Sequence, residues 1–442
     1  MTDGPDHAEL TLATREAAYQ AFVERNLRRN FAGHFIHGML GLTGFRLLYA
    51  PTFIPSYIHR LTGSDALVGL GTALLQFGAV LSPILSATRF EHQPRILPFA
   101  IRTGTWMRLM ILGMAVAGWL LTGSVLLVVT LLFMFGLGFF NGTQRVAFQM
   151  LMAKVIPTDR RGRLQAWRNM TGGLIAAALS YWAGVYLIGR DVFGNGYATT
   201  IFVTFVLTSL GLTVLRFVMV EPDPVALRAS ASVRERLRDF PALLADRDYR
   251  WFLIAQALCI GARFAAPFYI LYAGQTLALS GRVIGELSLA FLGADTVSNL
   301  LWGYLGDQRG YRITFLGATA IWGAAVVLLV GVHQPWALLV AFAGLGAGSA
   351  GYQMSQQSLV LEFGERTDVA MRLALSTTVE SAIASIGPLI GGLVATTLGY
   401  RALFGGAAAM LLASFLVTLL MVREPRRQRV PVIADDLGTP EA

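Results

Sequence analysis

The chain contains one cysteine, Cys259, and one lysine, Lys154, among its 442 residues. A single cysteine excludes an internal disulfide. Ala153 precedes Lys154, whereas a phosphate-binding P-loop needs Gly-Lys at that point, so an ATPase site of that kind is excluded. Charge is scarce too. Asp, Glu, Lys and Arg make up 14% of the residues, against roughly a quarter in an average soluble domain. No Gly-x-Ser-x-Gly, His-Glu-x-x-His or Gly-x-Gly-Asp run occurs, so a membrane enzyme is a poor reading and no cofactor or metal is expected. Residues 1–30 are polar, with no apolar core, so no cleavable signal peptide is expected.

Apolar sequence is what the chain has in quantity: 55% of it is hydrophobic. Twelve apolar segments follow the polar start, at 31–55, 66–87, 98–121, 125–152, 165–188, 197–219, 251–276, 283–303, 312–331, 336–360, 371–396 and 400–421. Each is long enough to cross a hydrocarbon core of about 30 Å as a helix, and too long for a barrel strand. The expected fold class is therefore all-α, a polytopic membrane protein of twelve transmembrane helices in two six-helix bundles. The divisions expected are a cytosolic segment 1–30, bundles at 31–221 and 251–421, a linker at 222–250 and a tail at 422–442. Within the linker, Val233, Leu237, Phe240 and Leu244 make one apolar stripe among charges, the pattern of a surface helix.

The net charge of +9 would suggest nucleic acid in a soluble chain, but here its distribution explains it. With the N-terminus inside, 26 basic residues fall at the inner ends of the segments, and Arg60, Arg190, Arg282 and Arg401 at the outer ends. By the positive-inside rule both termini are expected in the cytosol, at a bacterial inner membrane, with no nucleic-acid partner. The halves also repeat. Pro51 and Pro267, Gly69 and Gly285, and Glu91 and Asp307 are each 216 apart, and Gly136-Leu137-Gly138 precedes Gly344-Leu345-Gly346 by 208. Both halves end in Glu-Pro, at Glu221-Pro222 and Glu424-Pro425. Together these indicate a duplicated bundle in parallel orientation.

One polar stretch stands out between two apolar runs: Gly303-Tyr304-Leu305-Gly306-Asp307-Gln308-Arg309-Gly310-Tyr311-Arg312. It resembles the Gly-x-Leu-(small)-Asp-Arg-x-Gly-Arg-Arg signature of the major facilitator superfamily, with Gln308 in place of the usual arginine. The family carries its best copy between helices 2 and 3; here that copy is degenerate, with Glu91 its one clear acid. Pro157-Thr158-Asp159-Arg160-Arg161-Gly162-Arg163 and then Arg168-Asn169 resemble the family's loop from helix 4 into helix 5. The resemblance spans about residues 30–425 and implies a transporter fold in which helices 1, 4, 7 and 10 line a central cavity. It implies a gate at the signature loop, made here by Gly303, Asp307, Arg309, Gly310 and Arg312, with Glu91 as its twin and Glu380 near the loop's partner at the start of helix 11. The other reading of these residues is a static anchor.

Five arginines lie inside apolar segments, each costing about 2.5–3.5 kcal/mol at a helix centre on an insertion scale. Arg108 and Arg216 are near segment ends and are expected to snorkel. Arg46, Arg145 and Arg263 are deeper and need a watery cavity or a partner. Asn141, Arg145 and Gln149 are spaced by four, as are Ser349, Gln353 and Gln357, 208 residues later. Such spacing keeps each set on one helix face, so both are expected to line the cavity, with Tyr352 and Gln356 beside the second. A pair of guanidiniums at Arg46 and Arg263 would suit a carboxylate or phosphate. Alternatively each arginine pairs with an acid, for which Asp295 and Glu380 are available; the same two acids are the candidates for carrying protons. His34 and His37 are expected to be packing or interfacial residues. Gly387-Pro388-Leu389-Ile390-Gly391-Gly392 resembles a drug-antiporter motif, but in the eleventh segment rather than the fifth, and is not read as a sign of efflux. The expectation is a monomeric, lipid-embedded, proton-coupled secondary transporter of a small molecule, either an organic anion or a drug-like compound. The alternative is a non-transporting solute sensor or lipid-handling protein on the same fold.

Overall fold

The computed structural model describes residues 5–90, 95–222, 243–332, 334–363 and 369–424, which are helical with no strand. In the first half the helices are α1 Pro5–Tyr49, α2 Phe53–Thr62, α3 Asp65–Phe90, α4 Leu97–Leu120, α5 Gly123–Val155, α6 Thr158–Trp182 and α7 Gly196–Val218. In the second they are α8 Arg247–Ala262, α9 Tyr269–Thr276, α10 Gly281–Arg309, α11 Tyr311–Gly331, α12 Pro335–Val360 and α13 Val369–Met421. Every one of the twelve apolar segments falls on helix. Eight stretches among the described residues are long and apolar enough to cross a membrane, and the last, Met371–Met421, bends at Gly399 (φ 81°) into two. α1, α4 and α10 are as long but more polar, carrying Arg46, Arg108 and Asp295.

The breaks follow from local chemistry. α1 stops before Pro51, which has no N–H to donate and disfavours helix in the residue before it. The matching proline, Pro267, lies in a 3₁₀ stretch, Arg263–Phe268, between α8 and α9. α10 runs past the apolar boundary at 303 to Arg309, because hydropathy fades six residues before anything breaks the helix. The break comes at Gly310, whose φ of 92° is one that L side chains rarely adopt.

Packing groups the helices into two sets. α1 lies on α6 and α7, and α4 on α5 and α7, while α3 packs on α5. In the second half α8 lies on α13, α10 on α12, and α11 on α12 and α13. The sets meet along two seams, α3 on α13 and α6 on α10. Small residues make both possible, as expected where lipid supplies no hydrophobic drive between helices. Gly69 lies against the Pro388 carbonyl, and a Cβ on it would stand 3.0 Å from the Gly392 Cα. A Cβ on Gly184 would stand 2.5 Å from the Gly285 Cα.

The repeated Glu-Pro has a structural reason in the first half. The Glu221 carboxylate accepts the N–H groups of Ile96 (2.8 Å) and Leu97 (2.7 Å) at the start of α4 and a bond from the Lys154 Nζ at 2.9 Å. It thus caps a helix N-terminus, where negative charge is favoured, and ties α4, α5 and the end of α7 together. In the second half the Glu424 carboxylate lies against Gly310, at the start of α11.

Candidate functional site

A cavity of about 650 Å³ lies between the two sets of helices. Its wall holds Arg46, Arg145 and Arg263, one carboxylate, Asp295, and the polar groups of Gln76, Asn141, Ser349 and Gln353. Phe45, Tyr49, Phe264, Tyr269, Phe291 and Trp322 supply aromatic surface. Arg46 is in the last turn of α1, and Arg263 opens the 3₁₀ stretch after α8. Arg46 and Arg263 thus sit just before the two repeat prolines, where each helix loosens. Arg145 comes from the middle of α5 and Asp295 from the middle of α10.

Arg46 has a partner in the other half. Its Nη1 is 2.6 Å from the Asp295 Oδ2 and donates to the Thr296 Oγ1 at 2.9 Å. Both side chains keep some exposure, 21% and 15%. A second polar link between the halves runs from the Ser288 hydroxyl to the Thr52 hydroxyl at 2.7 Å, and the Tyr400 hydroxyl is turned to the Asp65 carboxylate. These links and both glycine seams lie toward the end of the bundle away from the chain termini. No salt bridge or side-chain hydrogen bond joins the two halves at the terminal end among the described residues. By contrast, the Arg145 and Arg263 side chains make no salt bridge or hydrogen bond with any described residue.

The two polar stripes divide. Asn141 and Arg145, like Ser349 and Gln353, line the cavity, while Gln149 and Gln357, one turn farther on, are exposed and outside its wall. Tyr352 and Gln356, expected at the cavity, lie behind it instead. The Tyr352 ring is fully buried against Phe315 and Trp322. Gln356 joins a buried polar chain: Ser376 donates to Gln256 at 2.9 Å, Gln256 to Gln356 at 3.0 Å, and Gln356 to the Glu380 carboxylate at 3.2 Å. The physical reason is angular. A step of one or three residues from Gln353 turns the side chain by about 100° or 300°, off the cavity-facing stripe. Glu380 therefore ends a hydrogen-bond chain and is not on the cavity wall. Arg108, expected to snorkel, is 3% exposed and donates to the carbonyls of Thr208 (2.7 Å) and Gly104 (2.8 Å). Arg216 does reach outward.

At the signature stretch, Gly303, Asp307 and Arg309 are on α10 and Asp307 and Arg309 are exposed. Asp307 accepts from the Tyr311 hydroxyl at 3.0 Å, and Arg312 donates to the Leu419 carbonyl at 2.8 Å. At 1.5 Å per residue, Asp307 is about 18 Å along α10 from Asp295. Glu91, its expected twin, and the apolar stripe from Val233 to Phe240 lie outside the described residues. Sequence reasoning missed Gln76 and the aromatic wall, which carry no periodic polar signal, and the roles of Glu221 and Lys154, for which the repeated Glu-Pro was the available clue.

Residues 252–439 match the sequence model of the Major Facilitator Superfamily. The multidrug resistance protein MdtG of Serratia proteamaculans is 33% identical over 186 residues, which is 40% of this chain and 44% of that protein. MdtG of Yersinia enterocolitica is 32% identical over 185 residues, 40% of this chain and 43% of that one. The chain thus matches less than half the length of these relatives. Across almost the whole chain the fold is that of a D-xylose-proton symporter, with a TM-score of 0.71 at 13% identity, covering 90% of this chain and 99% of that one. A mutant of the nucleoside transporter NupG gives 0.70 at 14% identity, covering 89% and 100%. The second half of the chain is thus similar in sequence to the Major Facilitator Superfamily, and the chain as a whole shares the fold of these solved transporters.

Proposed function

We propose that the chain is a secondary active transporter of an organic anion with an apolar or aromatic body, coupled to protons through Asp295. The observation that carries this is the charge of the cavity wall. Among the described residues, three guanidiniums face about 650 Å³ of space, and the single carboxylate there is engaged by one of them. Arg145 and Arg263 are left to receive an anionic group, and the planar fork of a guanidinium matches a carboxylate or phosphate. The aromatic residues supply the apolar remainder of a typical small-molecule site.

In this reading bundles 31–221 and 251–421, joined by the linker at 222–250, rock about the cavity in the inner membrane of a bacterium, with both termini in the cytosol. The contacts described belong to the form closed at the outer end. Asp307, Arg309, Arg312 and Glu91 would close the inner end in the other form, with Glu380 nearby. Asp295, on α10 and paired to α1, is placed to exchange Arg46 for a proton as the halves separate. A second reading, a drug-like compound as substrate, is favoured by the relatives that are multidrug resistance proteins.

Calorimetric titration of the purified protein with aromatic carboxylates and with cationic dyes separates the two. For an organic anion, carboxylate affinity falls about tenfold or more in Arg145→Gln and in Arg263→Gln, the scale of a lost charge-assisted pair. Dyes that bind while carboxylates do not, in wild-type protein, would overturn the anion reading in favour of the drug-like one.

A further inference from the structure

Away from the cavity, the first half holds a cluster of buried and half-buried polar side chains, several of whose hydrogen-bonding groups find no partner among the described residues. His34 and His37 on α1 and Arg168 on α6 converge around Phe148 of α5. The His34 ring lies 4.4 Å from the Phe148 ring and the His37 ring 5.1 Å from it, and the Arg168 guanidinium is 5.2 Å from the same ring centre. Gln144 is one turn earlier on α5, and its amide approaches Gly104 beside the Arg108 guanidinium. His34 is fully buried, His37 is 6% exposed and Gln144 7%.

Both ring nitrogens of His34, the Nδ1 of His37, both polar atoms of the Gln144 amide, and the Nε and Nη1 of Arg168 are buried without a hydrogen-bond partner. Each such group left unpaired costs about 1–3 kcal/mol, so a cluster of them calls for an occupant. The occupant's charge follows from the surroundings. Arg108 and Arg168 both lie within electrostatic reach of His37. Neither forms an ion pair with a described residue, and no carboxylate among the described residues acts on either guanidinium. Two cations, Arg108 buried and Arg168 half-buried, with no described counter-charge favour an anion over water, since isolated buried charge is costly. Three of the four residues meet around a single aromatic ring, with Gln144 one turn away, which suits one compact ion better than a polyatomic one.

We infer that a small inorganic anion of halide size binds inside the first half, between α1, α5 and α6, held by His34, His37, Gln144 and Arg168. This site is distinct from the cavity: none of its four ligands lines that wall. The bound ion ties α6 to α1, where Arg168 already lies flat across Gly38, and completes the packing of the end of the half nearer the termini.

The test uses the full chain in detergent at constant ionic strength, with sodium gluconate replaced stepwise by chloride or bromide. The expected result is a saturable rise in melting temperature of about 2 °C, on the scale of ligand-linked stabilisation. In Arg168→Gln the half-saturating concentration rises about tenfold or more, as for loss of one charge-assisted contact, while the effect persists in Arg263→Gln. Crystals grown in bromide, which need no variant to fold, should show anomalous scattering within hydrogen-bonding distance of Arg168 and His34. A melting temperature indifferent to halide, loss of the effect in Arg263→Gln in place of Arg168→Gln, or water at that position in bromide crystals would each overturn the inference.

Discussion

Replacing Asp295 by Asn should loosen the closure between the two halves, and the size of the effect can be worked from the pair it breaks. At 2.6 Å and an effective dielectric of about 20, the Coulomb attraction is about 6 kcal/mol. Desolvation of both groups offsets much of that, Arg46 keeps its bond to Thr296, and each side chain retains some water contact. A net coupling of about 2 kcal/mol, or about 30-fold in an equilibrium, is the reasonable expectation, below the 3–5 kcal/mol of a fully buried pair. Arg46 and Asp295 belong to different halves, so that energy opposes their separation. Thr52 is a suitable reporter, fully buried beneath Ser288 at the seam that opens. In a background with Cys259→Ala and Thr52→Cys, maleimide labelling measures the open fraction. Asp295→Asn and Arg46→Gln should each raise the labelling rate about 30-fold, and the double variant no further than either single, because both remove the same interaction. If the two increments multiply, within about 0.5 kcal/mol of additivity, the pair does not hold the seam and the reasoning fails.

Gly69→Val should act at the other seam: its side chain would enter the Pro388 carbonyl and Gly392, and Thr52→Cys labelling should rise as for Asp295→Asn while the protein still assembles in the membrane. Unchanged labelling would mean that α3 and α13 can part without exposing Thr52. Glu221→Gln should lower stability by about 1–3 kcal/mol, through weakened acceptance of two backbone N–H groups and loss of the charge facing Lys154, a scale set by hydrogen bonds to charged groups; a melting temperature within error of wild type would show that this carboxylate is not the brace of the first half.

Segment positions were legible from hydropathy because in a membrane the backbone must be satisfied within each segment, leaving helix as the one answer for runs of that length. Pro51, Pro267 and Glu221-Pro222 could be singled out too, because the conformational demands of such residues are local. Arg46, Arg145 and Arg263 could be singled out because charge in an apolar run is costly wherever it lies. The stripes from Asn141 and from Ser349 pointed to the cavity because residues four apart share a face. Tyr352 and Gln356 were misjudged because adjacency in sequence is not adjacency on a helix.

The partner of each charge was beyond the sequence. Asp295 and Glu380 were equally available to Arg46 on paper, 249 and 334 residues away. The α6–α10 seam brings one of them to 2.6 Å and the other into a chain of amides. Nor could the sequence say that Arg108 is satisfied by two carbonyls while the two histidines, Gln144 and Arg168 are not. Composition and periodicity report what each segment needs from its surroundings, a helix, a buried face, a counter-charge. Which neighbour meets that need depends on how the helices cross, and the crossings are set by close approaches such as Gly69 to Gly392 and Gly184 to Gly285, which exist only in the assembled bundle.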